Sequence, residues 1–218
     1  MAKDSGTYDG SLRLRIIYRR RTIMYMTMIE TEDYQGSREL HLEARFLKEN
    51  KVFLFGVITH ESALELVQKL MYLETRTDTD RIRLYIDSPG GEVASGLMIY
   101  DVLQAMSKEV DIYCMGSAES MAALLLACGK PGHRHILPHA RTMIHEPRLE
   151  TDLGGSATSI RHLSDSIMET RNMLNQLLVK HTGRTIREIN KATSFDNFMN
   201  ADESIAFGLC DDIVTDLF

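Results

Sequence analysis

The sequence predicts an α/β fold built on a parallel sheet. Short apolar runs alternate with amphipathic helical stretches three times between Val52 and Cys128. Strand–helix units in series imply parallel strands joined by right-handed crossovers. The composition agrees: 218 residues, 44% hydrophobic and 26% charged, suit a single globular domain with a substantial core. No apolar run approaches the roughly 18–20 residues that a membrane span needs.

Residues 1 to about 40 are polar and lack clean periodicity. Arg13, Arg15, Arg19, Arg20 and Arg21 cluster around Ile16, Ile17 and Tyr18. A nucleic-acid arm or a targeting remnant would use such a cluster, and so would a solvated or partner-binding tail. The net charge of -6 argues against nucleic acid, because phosphate contacts need clustered cations supported elsewhere in the chain. The opening MAKDSGTYDG has none of the charged-then-apolar layout of a secretory signal, so the expected location is the cytoplasm.

From Leu47 the pattern sharpens. Val52 to Ile58 reads as a strand, and His60 to Leu73 as a helix with Ala63, Leu66, Val67 and Leu70 on one face. Ile82 to Ile86 and Val93 to Met106 form the second unit. The third opens with a buried strand, Ile112 to Met115, turns at Gly116-Ser117-Ala118, and enters the apolar helix Met121 to Cys128, ended by Gly129 and Pro131. His135 to Leu137 and Thr142 to His145 are short apolar pieces. After the Gly- and charge-rich link Pro147 to Gly155, a long helix runs from Ser156 to about His181 with Ile160, Leu163, Ile167, Leu174 and Leu178 on one stripe. Short helices at Thr185 to Lys191 and Asp202 to Phe207 lead to a last strand around Ile213. Cys114, Cys128 and Cys210 have no metal or CxxC spacing and read as buried thiols of a reducing compartment.

Four places carry residues suited to chemistry. Ser120 opens a buried helix, among unpaired N–H groups at the positive end of the helix dipole. That suits a nucleophile passing through an oxyanion, and equally an ordinary capping serine. Asp87-Ser88-Pro89-Gly90-Gly91-Glu92 forms a tight strand-to-helix turn. It reads as a plain turn, as a phosphate cradle lacking either glycine-rich signature, or as an oxyanion donor pairing the N–H groups of Gly91 and Met121. His145 ends a short strand before Glu146 and Pro147, as a structural histidine or as a general base. Asp196, between Phe195 and Asn197, is either a surface Asx turn or a carboxylate that orients an imidazole. His133, His135 and His139 show no paired metal-ligand spacing.

Taken together, the segments LYIDSPGGEV, CMGSAESMAALLLACG, LPHARTMIHEP, HTGR and SFDNFMNADESIAFGL resemble the ClpP family, the proteolytic subunits of the Clp protease. The likeness runs from about Ala44 to Val214. It implies a crotonase-like fold of repeated βαβ units, with a protruding handle of a strand and the long helix at about 147–182. It divides the chain into an N-terminal tail, 1–43, forming an axial loop or a partly ordered segment, and a serine peptidase domain, 44–218. Ser120, His145 and Asp196 fall on the family's catalytic positions, and Gly91 and Met121 on its oxyanion donors. No cofactor and no metal is implied.

The implied partners are identical or paralogous subunits in stacked seven-membered rings, a tetradecamer, together with an AAA+ unfoldase of the ClpX, ClpA or ClpC type and its unfolded substrates. Several positions depart from the family pattern. Glu119 and Ala122 replace an alanine and a glycine around the nucleophile, and Glu146 replaces a glutamine. Arg148-Leu149-Glu150-Thr151-Asp152-Leu153 interrupts a glycine-rich handle. Phe195 replaces an arginine that pairs the rings, and Arg83 and Ala105 replace aromatic residues of the docking pocket. Beside the active peptidase stand two other readings: a structural or weakly active subunit of a mixed assembly, and an acyl-CoA enzyme of the crotonase type, in which the serine, histidine and aspartate would have no role.

Overall fold

The computed structural model describes residues 15–19, 26–33, 36–148 and 155–217. Residues 1–14, which head the expected tail, and 149–154, most of the expected handle link, lie outside the described residues. Two compact units divide the chain, 1–49 and 50–218.

In the first unit, strands β1 (Arg15–Arg19), β2 (Met26–Asp33) and β3 (Gly36–His41) pair antiparallel in sequence order, and helix α1 (Leu42–Lys48) follows. Periodicity predicts no such strands. Charged residues occupy successive positions here, such as Glu32-Asp33 and Arg38-Glu39, and they mask the two-residue alternation that marks a half-buried strand.

The second unit holds β4 (Lys51–Phe55), α2 (His60–Thr75), β5 (Arg81–Ser88), α3 (Val93–Ala105), β6 (Glu109–Glu119) and α4 (Met121–Ala127). Next come β7 (Arg134–Ile136), β8 (Arg141–Ile144), α5 (Ala157–Thr182), α6 (Ile186–Ala192), β9 (Asn197–Met199), α7 (Ala201–Phe207) and β10 (Asp212–Ile213). The main sheet runs β10-β7-β6-β5-β4, every pair parallel, as the serial βα pattern predicts. On one face Ile82, Leu84 and Ile86 of β5 are fully buried, as are Leu70 of α2, Ile99 of α3 and Leu125 of α4. On the other, Phe53, Tyr85, Tyr113 and His135 stack side by side across four adjacent strands, with ring centres 5.4, 5.1 and 4.7 Å apart.

Strand β6 differs from expectation. Gly116-Ser117-Ala118 does not turn the chain; it continues the strand to Glu119. Between the pairs Ile86–Cys114 and Ser88–Ala118 the register with β5 shifts, so β6 bulges. The bulge redirects it: residues 112–114 pair with β7, whereas Ser117, Ala118 and Glu119 pair with Arg141, Thr142 and Met143 of β8. Small residues tolerate such a detour, and a bulge bends and re-aims the strand that carries it. Asp87 pins it by accepting from the Ser117 N–H at 2.9 Å.

Behind the sheet, Arg134 is 7% exposed. Its guanidinium donates to Ala127 O at 3.3 Å, His181 O at 3.0 Å and Gly208 O at 3.0 Å, which lie at the C-terminal ends of α4, α5 and α7. Asp211 accepts two further bonds from it, and so balances the buried charge.

Candidate active site

The site lies where β6 ends. Ser120 joins the strand to α4 with φ 54° and ψ −121°, a left-handed backbone that costs a serine about 1–3 kcal/mol. Hydrogen bonds hold it there. Its N–H donates to Met143 O at 2.7 Å, and its carbonyl accepts from Ala123 N at 3.1 Å and Leu124 N at 3.3 Å. All seven residues of α4 are buried, so the junction cannot relax by moving the helix. The Ser120 side chain makes no capping bond. Its Oγ is turned instead to His145.

Pairing brings the other two side chains in. β8 runs antiparallel to β9, with Ile144 opposite Asn197. His145 directly follows the first residue of that pair and Asp196 directly precedes the second. His145 Nε2 is 2.9 Å from Ser120 Oγ, and its Nδ1 is 2.9 Å from Asp196 Oδ1. The three side chains thus form one continuous chain of hydrogen bonds. Asp196 makes no local Asx bond among the described residues, and its side chain is 40% exposed against 17% for His145. Arg148 donates from Nη2 to the same Oδ1. That guanidinium first, and His145 second, hold the Asp196 carboxyl below its usual range, so it stays an anion.

Gly90 lies against the junction, and Gly91 against the backbone of Ile58. A Cβ on Gly90 would fall 2.8 Å from Ser120 Cβ and 3.1 Å from Met121 N, and one on Gly91 would fall 2.2 Å from Ile58 O. Their φ values, +85° and +151°, also favour glycine. Gly90 O accepts from Ile58 N at 2.7 Å. In a trans peptide the Gly91 N–H points the opposite way from that carbonyl. Among the described residues neither this N–H nor that of Met121 has an acceptor.

An apolar cleft opens beside Ser120, walled by Val93, Leu124, Ile144, Pro147, Leu174 and Leu178. Periodicity assigns the last two only to the core stripe of a long helix. The contact of Arg148 with Asp196 has no sequence signal at all, because it depends on the path of the chain after Pro147. Glu146 forms an ion pair with Arg171 of α5 at 2.9 Å, off the axis of a hydrogen bond. Glu119 has no charged or hydrogen-bonded side-chain partner among the described residues. His133 and His135 are bonded to Asp111 at 2.7 Å and Asp212 at 2.5 Å. Among the described residues no three His, Cys, Asp or Glu side chains converge as a metal site, and no helix is long and apolar enough to cross a membrane.

A family model described as Clp protease matches residues 16–216.

Proposed function

The chain belongs to the Clp protease family, and from that premise we propose that it is the serine endopeptidase subunit of a self-compartmentalised Clp-type protease. Its substrates are unfolded polypeptides passed to it by an AAA+ unfoldase. The observation that carries this reading is the unbroken hydrogen-bonded chain Ser120–His145–Asp196, with the N–H groups of Gly91 and Met121 lacking acceptors among the described residues.

Ser120 Oγ attacks the carbonyl carbon of the scissile peptide, and its proton passes to His145 Nε2. Asp196 keeps the proton of the neutral ring on Nδ1 and stabilises the imidazolium that forms. The carbonyl oxygen becomes an oxyanion held by the N–H groups of Gly91 and Met121. Each such donor contributes about 2.7–4 kcal/mol to the transition state. As the C–N bond breaks, His145 returns the proton to the leaving amine. Water, activated by the same imidazole, then hydrolyses the acyl-serine.

In the assembly, copies of this subunit or its paralogues stack as two seven-membered rings in the cytoplasm, with α5 and the link before it as the handle. Phe195, 56% exposed beside Asp196, gives these subunits an apolar contact where relatives use an ion pair. The intact chain of side chains favours an active subunit over a purely structural one, which would have no need of it.

Labelling with a fluorophosphonate probe tests the reading. The wild type should be labelled and cleave a short fluorogenic peptide, and Ser120→Ala should do neither. Labelling that persists on the purified variant overturns the assignment.

A further inference from the structure

We propose that Arg148 is a positioning residue for this reaction, holding the Asp196 carboxylate where it receives the Nδ1–H of His145. The inference rests on the triad reading above and extends it to a side chain outside the triad.

In the usual serine-protease arrangement the aspartate is buried, and its surroundings fix it. Here it is 40% exposed, and among the described residues only two groups bond to its side chain, His145 and Arg148. Both use Oδ1. A solvent-facing carboxylate held by the imidazole alone would rotate about its side-chain bonds and exchange that contact for water. A charge-assisted bond from a guanidinium is roughly twice as strong as a neutral one, and supplies the second point that rotation must break.

The route of the chain supports this. His145 and Arg148 lie on the segment that leaves β8, with Glu146 and Pro147 between them, and they close on one oxygen from the same stretch. Glu146 anchors that stretch on its other side: its N–H donates to Thr193 O at 2.8 Å, and its carboxylate pairs with Arg171 of α5. Thr193 is itself fully buried, three residues before Asp196. The base and the clamp on its orienting group are thus set by one short segment tied down at both sides.

The charged groups bearing on Asp196 are Arg148 and His145, and the guanidinium is the larger influence holding that carboxyl as an anion. Without it the anion that receives the Nδ1–H would be oriented by the imidazole alone. Glu119, Glu146 and Arg171, the other charges near Ser120 and His145, stay unchanged in every variant.

The test uses the assembled protein and a fluorogenic peptide, with kcat and KM measured separately for R148A, R148Q and R148K. R148A should lose about 10-fold in kcat with KM nearly constant, the loss expected for one hydrogen bond to a charged group. R148K should recover most of the rate. R148Q keeps hydrogen-bond donors without the charge, so its rate should fall less than that of R148A. If R148A does not assemble, as judged by native mass and melting, R148Q and R148K decide. Unchanged rates in R148A overturn the proposal, and so does a loss carried by KM instead of kcat or one that R148K does not relieve. S120A separates the two readings: residual turnover there sinks the triad itself, whereas an inert S120A beside unaffected Arg148 variants sinks only this inference.

Discussion

Gly90 and Ser120 sit so close that a methyl group on the first would reach to 2.8 Å from the Cβ of the second. The loop after β5 and the junction after β6 are therefore in backbone contact, with no side chain between them. Gly90→Ala must push the two apart and also strain a φ of +85°. Overpacking of this kind costs about 1–3 kcal/mol. A displacement near 1 Å at a nucleophile costs on the order of 100-fold in rate. Melting temperature and the rate of fluorophosphonate labelling should show both effects, with the loss of labelling far larger than the loss of stability. A variant labelled at the wild-type rate would mean that the loop does not brace Ser120.

Acid should destabilise the protein partly through His181. Burial first, then Lys180 and Arg134, push its pKa down to about 4, and its ring nitrogen is 2.8 Å from the Tyr100 hydroxyl. The unfolded chain takes up this proton near its ordinary value of 6.5, whereas the native state waits until about 4. Between those values the unfolded state binds more protons, so this contribution is complete above the upper value and is lost as pH falls through the window. The full shift would be worth about 3 kcal/mol, and solvent screening of a partly exposed ring reduces that to about 1–2 kcal/mol. Urea unfolding at about pH 7 and about pH 4.5 should give a smaller difference for His181→Gln than for the wild type, by that amount. Equal acid sensitivity in both proteins would rule it out.

Arg134→Met should cost about 3–5 kcal/mol, because it leaves Asp211 partly buried without its counter-charge. Burial alone would push the Asp211 carboxyl up, and the Arg134 guanidinium together with the N–H groups of Gly132 and Arg134 outweighs it and holds the carboxyl down. Replacing Asp211 by Asn in the same chain should recover part of the loss and not all of it. The carbonyls of Ala127, His181 and Gly208 would still lack their donor. Denaturant midpoints of the two single variants and the double variant measure the coupling.

The thiols should be silent in the native protein. Cys114, Cys128 and Cys210 are free and buried, and burial pushes each pKa up to about 12. A disulfide reagent should find no reactive thiolate until denaturant is added, and then titrate all three. Prompt reaction without denaturant would contradict this.

The strands and helices between residues 51 and 127 are readable in the sequence because each strand there is rich in apolar residues, α2 and α3 each keep a buried stripe, and α4 is apolar throughout. The continuation of β6 is not, since Gly116-Ser117-Ala118 has the composition of a turn and becomes a bulge only when β8 offers a second partner. β9 escapes for a related reason: it has three residues, and Phe198 at its centre is 52% exposed. The candidate site is legible only in pieces. No period links Ser120 to His145 or His145 to Asp196, so the family resemblance, rather than local pattern, singles out these three. The register of β6 with β8, and of β8 with β9, is what gives that selection a physical basis.

The cation at Arg134 joins carbonyls whose residues are far apart along the chain, the last of them at Gly208. Removing the chain from Gly208 onward would take away both the last of those carbonyls and Asp211, so the final elements complete the setting of a cation carried by β7.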